Sequence, residues 1–438
     1  MSKHSGNTLL VASLVLALGS ARPSCGATYS AVAYMTGQNS QPIGIAEGVP
    51  GLFFVQASGT LIFSTTTQGA TIIVASFPDP PYTVGSGPGA VAANGLLYSS
   101  ISQTTGNGSG NIISMSSTAG SEDTYAAQNF AMIPLAGTLP GGKLFGLAYA
   151  FSNASYNIGT TDLSGNMMTL YQFPTTDRAI APVYGSDGNY YGTAFTYGSQ
   201  NGYFYKVTPS GSFTKVATLP FAGAGIVLQG TDGNFYGVQP TSAGCSNTGQ
   251  HGAVYKMTPT GQFTTLHDFG LCGNAVVNSL IEGSDGKLYG AIQGNSALFS
   301  LTRSGTYKVE FKTDNGNTQG LCTCILTQGG DGIIYGTASG GGPGGYGVVF
   351  ALNAGLPVPK PKAREFTPRS GAVGARVQIW GYNLLNASVT FDGVPATEVS
   401  NSGPNYVLAT VPHGATTGPV TVATPGGAST THASFTVK

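Results

Sequence analysis

One eight-residue phrase recurs along the chain and constrains its fold more than any other feature. Its four clearest copies, GSDGNYYG, GTDGNFYG, GSDGKLYG and GGDGIIYG, occupy residues 185–192, 230–237, 283–290 and 329–336. Weaker copies surround Gly51, Gly95 and Gly142, which makes seven copies spaced 44 to 53 residues apart. A unit that recurs at such a period has to stack on its neighbours, so the phrase predicts a repeat architecture.

A second marker runs in phase with the first. One turn glycine follows each copy of the phrase, at Gly69, Gly120, Gly165, Gly211, Gly261, Gly305 and Gly355. Three of these glycines end the closely similar phrases TPSG, TPTG and TRSG. Two independent markers with the same count indicate seven repeats.

Each repeat has the pattern of four short strands. In the fourth repeat, aromatic and β-branched runs predict strands at 181–184, 189–196, 203–208 and 212–219. The Asp187-Gly188 pair between the first two predicts a type I′ hairpin turn, in which both central residues take positive φ. Repeats of about 45 residues with four strands each predict an all-β, seven-bladed β-propeller.

The ends of the repeat region indicate how the propeller closes. The seventh repeat offers strands at 324–328, 333–338 and 347–352 but lacks an outermost one. The N-terminal segment Thr28–Met35 offers one extra strand before the first repeat. Pairing this segment with the seventh repeat would leave no open edge, so we expect the N-terminal strand to close the ring.

The first 27 residues have the pattern of a secretory signal peptide. Lys3 precedes a ten-residue apolar run at 9–18, and small residues follow, with cleavage sites after either Ala21 or Ala27. The run is too short to span a bilayer, and no later segment is long enough. We therefore expect a protein that is secreted, extracellular or at the cell surface, with no membrane span in the mature chain.

The charge balance restricts the partners. The chain has 438 residues with 17 Lys and Arg and 17 Asp and Glu, so its formal net charge is zero. Without a basic patch we expect no nucleic-acid partner. No pattern indicates a cofactor or a metal site, and we expect a monomer.

The repeats can be compared with a known class. The phrase (S/T)DGN(F/Y)YGT, followed by KVTPSG or KMTPTG, resembles the bacterial GloVer repeat of exported surface proteins. The resemblance covers residues 28–355, strongly in repeats four to seven and weakly in one to three. It implies an exported tandem-repeat protein but no defined activity.

The C-terminal segment follows a different pattern. Residues 356–362, rich in Pro and Lys, predict a semi-rigid linker. Beyond it, residues 363–438 alternate apolar and polar positions, with turns every 8–12 residues, which predicts an immunoglobulin-like β-sandwich. The run from Pro368 to Gly381 and the later VTVATPGG resemble an IPT/TIG domain. That resemblance implies a spacer or adhesive module.

The cysteines predict one disulfide. Beyond Cys25, four cysteines remain in a chain expected to be exported, and an even count favours disulfides over metal. Cys245 and Cys272 lie in connections that open on the same face, so we expect them to pair. Cys322 and Cys324 either form a tight ring or stay reduced.

The repeated aspartates are interpreted as turn residues, because the weaker copies of the phrase keep the turn without the carboxylate. Sialidase chemistry requires several arginines to hold a substrate carboxylate, and residues 28–355 contain only Arg178 and Arg303. His251 and His267 are interpreted as surface histidines. Seven further carboxylates are scattered singly and expected in solvent: Glu47, Glu122, Asp123, Asp162, Asp177, Glu282 and Glu310.

The loop face is the candidate binding surface. The second-to-third and interblade connections vary in length, and variable loops on a rigid scaffold usually carry the binding site. Its candidate ligand residues, expected to be exposed, are Tyr197, Asn201, Tyr203, His251 and Tyr346. We expect non-catalytic binding or adhesion to a polysaccharide or a surface protein, with no catalytic residue. The alternative is an extracellular polysaccharide hydrolase or lyase with carboxylates at the channel.

Overall fold

A computed structural model describes most of the chain after the N-terminal 26 residues. The described residues are 27–36, 41–48, 51–57, 61–76, 82–84, 90–91, 96–103, 110–115, 122–127, 131–139, 143–150, 154–162, 166–221, 223, 225–239, 252–270, 277–292, 297–312, 325–403 and 406–438. Within these ranges, regular structure is β-strand throughout, as the sequence predicts. None of the described segments forms a helix that is long and apolar enough to cross a membrane.

The strands before the linker are β1 (Thr28–Tyr34), β2 (Pro42–Glu47), β3 (Leu52–Ala57), β4 (Leu61–Thr66), β5 (Thr71–Ser76), β6 (Tyr82–Val84), β7 (Ala90–Val91), β8 (Leu97–Gln103), β9 (Gly110–Met115), β10 (Glu122–Ala127), β11 (Ala131–Thr138), β12 (Leu144–Ala150), β13 (Ser155–Thr161), β14 (Met167–Gln172), β15 (Asp177–Ala179), β16 (Val183–Tyr184), β17 (Tyr190–Thr196), β18 (Gly202–Val207), β19 (Phe213–Thr218), β20 (Val227–Gln229), β21 (Phe235–Gln239), β22 (Ala253–Met257), β23 (Phe263–Asp268), β24 (Val277–Glu282), β25 (Leu288–Ile292), β26 (Ala297–Leu301), β27 (Tyr307–Lys312), β28 (Leu326–Gln328), β29 (Ile334–Ala338) and β30 (Val348–Asn353).

The strands after the linker are β31 (Lys362–Thr367), β32 (Ser370–Gly371), β33 (Arg376–Tyr382), β34 (Ser388–Phe391), β35 (Val394–Pro395), β36 (Val399–Gly403), β37 (Tyr406–Thr410), β38 (Gly418–Thr424) and β39 (Gly427–Val437).

Consecutive strands form antiparallel sheets of four or five strands. In chain order, sheets 1 to 6 consist of β2–β5, β6–β10, β11–β14, β15–β19, β20–β23 and β24–β27. In sheet 4 the four predicted runs are confirmed to within about two residues, with β15 as an additional short strand. The described chain is therefore built of β-propeller-like repeats.

The last sheet confirms the predicted role of the N-terminal strand. Sheet 7 has the order β1-β30-β29-β28, and β1 pairs antiparallel with β30, Thr28 opposite Asn353. Sheets 7 and 1 also share one core, in which Tyr335 and Val349 pack with Phe53 and Val55. Chain segments about 320 residues apart thus close the seam between the last and first sheets.

The turn after the first strand of each clear repeat differs from the predicted type I′ geometry. Gly188 N–H donates to Gly185 C=O at 3.0 Å, and Gly188 has φ 82°, but Asp187 is not among the residues with positive φ. The carboxylate of Asp187 explains the difference, because its Oδ1 accepts the Asn189 N–H at 3.2 Å. This Asx-type bond holds the aspartate in an ordinary conformation and leaves only the glycine left-handed. The type I′ turn prediction was wrong.

The same arrangement occurs in the other three clear copies. In each, the aspartate Oδ1 accepts the N–H two residues later, and Oδ2 accepts a tyrosine hydroxyl four residues later. The aspartates are Asp187, Asp232, Asp285 and Asp331. Their structural role, predicted from the weaker repeats, is confirmed.

The final glycine of the phrase provides room for a ring on the neighbouring strand. A Cβ atom built on Gly237 would overlap the ring of Tyr255, which is fully buried. Gly290 has the same relation to Phe299. These glycines are therefore required by packing, because an added methyl group would force the ring out of the core.

Side chains of one sheet hold the turn of the preceding sheet. The residue that ends the first strand accepts a backbone N–H from the preceding turn: Ser186 N–H to Gln229 at 2.7 Å, Thr231 N–H to Glu282 at 2.8 Å, Ser284 N–H to Gln328 at 2.9 Å and Gly330 N–H to Glu47 at 2.9 Å. We call this contact the seam bond. It joins sheets 4 to 5, 5 to 6, 6 to 7 and 7 to 1.

Glu47 is the seam residue whose pKa departs most from its ordinary value. It is 8% exposed, although the sequence analysis expected a solvated carboxylate. Burial raises its pKa from 4.5 to about 7, against hydrogen bonds from Gly330 and Gly51 that lower it, and the charge of Asp331 raises it further. Gln229 and Gln328 carry no charge at the same place. Glu282 contacts the guanidinium of Arg303.

The C-terminal strands form a two-sheet sandwich around a separate core. One sheet has the order β31-β33-β37-β36, and the other has the order β32-β39-β38-β34-β35. Val377, Ile379 and Val407 of the first sheet pack against Val422 and Phe435 of the second. The inward-facing residues alternate with exposed ones, which gives the period-2 pattern seen in the sequence.

We predict that Gly237→Ala lowers the free energy of unfolding by about 1–3 kcal/mol, because the new methyl group would displace the Tyr255 ring. Denaturant unfolding of the full chain measures this change. In the double variant Gly237→Ala/Tyr255→Leu the combined loss should be smaller than the sum of the single losses, since the ring is then absent. Additive losses would contradict the packing explanation.

We predict that Glu47 makes stability fall as pH rises from about 4.5 to 7. Its pKa is raised in the folded state, so protonation favours folding, and this contribution is fully present below the unfolded pKa and lost through the folded one. The change amounts to about 3 kcal/mol at most. Unfolding measured across pH should show a flatter profile for Glu47→Gln than for the wild-type chain.

The matched variant for this experiment is Gln328→Glu, which places a carboxyl group at the seam between sheets 6 and 7. Its stability should decline more steeply with pH than that of the wild-type chain, because an additional half-buried acid has to ionise. Identical pH profiles for the wild-type chain and Glu47→Gln would show that Glu47 titrates normally.

Candidate functional site

Among the described residues of the candidate face, the loop between β17 and β18 presents the most exposed aromatic side chain. Tyr197 is 78% exposed, although its backbone N–H donates to Thr176 C=O at 2.7 Å. Ser199 organises the rest of the loop by donating to Asn201 C=O at 2.9 Å and accepting the Asn201 N–H at 3.1 Å. Asn201 is exposed as well. The structure therefore brings Tyr197 and Asn201 together on a hydrogen-bonded loop.

Tyr203 is not an exposed ligand residue. It is 7% exposed, and its hydroxyl donates to Asp177 Oδ2 at 2.5 Å. Burial, followed by this bond and the charge of Asp177, raises the pKa of Tyr203. The strand alternation at β18 turns this ring toward the core, where it belongs to the cluster that includes Phe173 and Tyr205. The expectation of an exposed Tyr203 was wrong.

Asp177 is the anchor of the loop, and sequence reasoning missed it. The side chain is 6% exposed rather than solvated, and it accepts hydrogen bonds from Thr196 at 2.8 Å and Thr176 at 3.3 Å as well as from Tyr203. A buried carboxylate with three hydroxyl donors is a structural group that holds its partners in place. Its partners come from three separate segments, so no short sequence motif indicates that this aspartate is buried.

The other members of the predicted face are less informative. Tyr346 is half-buried and packs against the core shared by sheets 7 and 1. His251 lies outside the described residues. So do Cys245 and Cys272, so their pairing stays a prediction, and so do Cys25, Cys322 and Cys324.

The described carboxylates of sheets 1 to 7 are all engaged within the chain. Each accepts at least one hydrogen bond from a protein donor, and the set is Glu47, Asp162, Asp177, Asp187, Asp232, Asp268, Glu282, Asp285, Glu310 and Asp331. Glu310, for example, accepts Ser300 at 2.6 Å and Lys308 at 2.8 Å. The side chains of Glu122 and Asp123 lie outside the described part. The described carboxylates of sheets 1 to 7 therefore act as hydrogen-bond acceptors within the chain.

The cationic and imidazole groups also have structural partners. Arg178 donates to the carbonyls of Thr175 and Asp177 at 3.0 and 3.2 Å, and Arg303 pairs with Glu282. His267 stacks on Tyr307 with ring centroids 4.3 Å apart, on the outer strand of sheet 5, and burial lowers its pKa despite the charge of Asp268. Neither arginine is therefore free to clamp a substrate carboxylate.

No group of three or more His, Cys, Asp or Glu side chains that could hold a metal ion occurs among the residues that the structure describes.

Comparison with known proteins identifies the fold. No family model matches the chain, and no curated protein matches it. A solved streptogramin B lyase is 18% identical with a TM-score of 0.52, over 75% of this chain and 98% of the lyase. A catalytically inactive histidine-to-alanine variant of virginiamycin B lyase from Staphylococcus aureus, solved with quinupristin, is 14% identical with a TM-score of 0.55, over 75% of this chain and 99% of that one.

At these identities the similarity concerns the fold alone. The repeat region is thus similar to β-propeller-like proteins, in agreement with its antiparallel four-stranded sheets.

Proposed function

We propose that the protein is a secreted or surface-displayed polysaccharide-binding protein without catalytic activity. In this proposal sheets 1 to 7 are the blades of a seven-bladed propeller, its loop face holds the ligand, and the C-terminal sandwich is an immunoglobulin-like module of the IPT/TIG type. The apolar run at 9–18 and the small residues after it support export.

The exposed ring of Tyr197 carries the proposal. An aromatic ring that is 78% exposed on a loop fixed by backbone hydrogen bonds offers an apolar face with a polar rim, which suits stacking on a sugar ring. Asn201, four residues later on the same loop, adds an amide that can donate to and accept from hydroxyl groups. Because Asp177 anchors the base of the loop, little conformational entropy remains to be lost on binding.

The engaged carboxylates support binding without catalysis. Glycoside cleavage needs two carboxyl groups that face the substrate with different pKa values. The turn aspartate Asp187 differs from such an acid: although burial raises its pKa, hydrogen bonds from Asn189 and Tyr191 outweigh burial and lower it. The acid is fixed in the turn as an acceptor and is not poised to donate a proton.

The similarity to streptogramin and virginiamycin B lyases does not transfer an activity to this chain. The inactive variant of that lyase has lost a histidine. The histidine described within sheets 1 to 7, His267, lies on the outer strand β23 and stacks on Tyr307. Turnover assays on bound polysaccharide and on quinupristin would test the hydrolase and lyase alternatives directly.

We predict that Tyr197→Ala weakens binding of the full chain to its polysaccharide ligand about tenfold or more, since the stacking surface is lost. A glycan array on the purified chain identifies the ligand, and calorimetry then compares the variants. Met168→Ala is the matched control, because Met168 is also exposed but lies on the outer strand β14. Its affinity should equal that of the wild-type chain.

Binding that survives Tyr197→Ala would remove the loop face from the proposal. Turnover of a bound polysaccharide, abolished by a single carboxylate substitution, would replace the binding protein with an enzyme.

A further inference from the structure

A cleft lies at the seam where the last sheet meets the first. Its volume is about 400 Å³, and it opens between the N-terminal strand β1, the turn between β4 and β5, and the turn of sheet 7. Ser30, Thr67, Gln68 and Asp331 supply its polar groups, and Ile333 and Ala351 supply apolar wall. These residues are distinct from the loop that carries Tyr197, so the cleft is a second candidate site.

Comparison of equivalent positions explains why the cleft exists. The residue two after the turn aspartate is Asn189 in sheet 4, Asn234 in sheet 5 and Lys287 in sheet 6, but Ile333 in sheet 7. The residue opposite the repeat tyrosine is Lys206 in sheet 4, where it faces Tyr191. In sheet 7 that position is Ala351, opposite Tyr335. Sheet 7 has thus replaced two long polar side chains with apolar ones, one of them much shorter.

These replacements leave the carboxylate of Asp331 without a cation or amide from any described side chain. Asp187 meets Asn189 Nδ2 at 2.8 Å and Lys206 Nζ at 3.9 Å, and Asp285 meets Lys287 Nζ at 2.9 Å. Within the described residues, Asp331 accepts only the Ile333 N–H at 3.0 Å and the Tyr335 hydroxyl at 2.7 Å.

Two contacts within this chain show which group fits the empty position. In sheets 4 and 6 the equivalent turn carboxylate has a primary ammonium group beside it, supplied by a lysine. At the seam, no described lysine or arginine pairs with Asp331, and the neighbouring acid is Glu47. An incoming ammonium group would supply at Asp331 the positive charge that a lysine supplies in sheets 4 and 6.

We propose that the seam cleft binds a hexosamine unit with a free amino group, whose ammonium contacts Asp331 and whose hydroxyls contact Ser30, Thr67 and Gln68. Hydroxyl and amide groups from β1 and from the turn between β4 and β5 suit a ring that carries several hydroxyl groups. The Asp331 side chain supplies a charge-assisted hydrogen bond, the strongest single contact of the site.

Calorimetry of the full chain with a glucosamine tetrasaccharide, at a pH where its amines are protonated, tests the proposal. The glucosamine tetrasaccharide should bind, and its fully N-acetylated form should bind at least about tenfold more weakly, because acetylation removes the ammonium. Asp331→Asn should weaken binding about tenfold. Asp187→Asn changes the equivalent carboxylate of sheet 4 and should leave binding unchanged, which controls for the loss of a turn aspartate.

Ile333→Lys provides a variant that keeps Asp331 and fills the empty position as Lys287 does in sheet 6. It should abolish binding while the unfolding transition stays close to that of the wild-type chain. Tyr197→Ala should leave binding at the seam intact, which separates this site from the loop face.

Equal binding of the acetylated and free-amine forms, or undiminished binding by both Asp331→Asn and Ile333→Lys, would overturn the proposal. A lysine tetrapeptide that binds as tightly as the tetrasaccharide would overturn the assignment to an amino sugar, since the site would then take a lysine side chain.

Discussion

A single backbone N–H at the turn of each clear repeat has to be satisfied from outside its own sheet, and the stacking of the repeats depends on how this is done. Gln229, Glu282, Gln328 and Glu47 each reach back from the following sheet to accept that N–H. The bond fixes the spacing of neighbouring sheets. It lies at the aspartate turn, whose carboxylate also binds the repeat tyrosine, and the same phrase ends in the glycine that packs against a neighbouring ring. Local turn chemistry and long-range stacking therefore share one set of residues.

Much of this fold is readable from the sequence because the repeat shows every constraint several times. The period, the four-stranded pattern and the pairing of β1 with β30 were all predicted from the phrase and from the missing strand. The seam bond had a signal too: Gln229, Glu282 and Gln328 each stand directly before the phrase, and Glu47 stands before Gly48 in its weaker form. Repeats four to seven were therefore predictable, down to the structural role of Asp187.

The parts that sequence reasoning missed depend on contacts between distant segments. Asp177 accepts hydrogen bonds from the hydroxyl groups of Thr176, Thr196 and Tyr203. Nothing in the sequence around Asp177 indicates that the loop folds back over it. The turn type was misjudged because the Asp-Gly pair alone favours type I′, as Asp392-Gly393 with φ 47° and 83° shows. In the repeats the aspartate side chain selects another turn by capping the chain two residues on.

The position of the two halves of the seam bond has a consequence for how such a chain can change in length. Sheets 5, 6 and 7 each carry the donor in the turn and the acceptor at the end of the first strand, so a duplicate of one of these repeats would bring both halves of the bond with it. Gain or loss of a whole unit would thus preserve every junction, whereas a partial unit would break one. Because a glutamine or glutamate supplies the acceptor at the end of the first strand, we expect insertions and deletions to be tolerated only when they comprise a whole repeat.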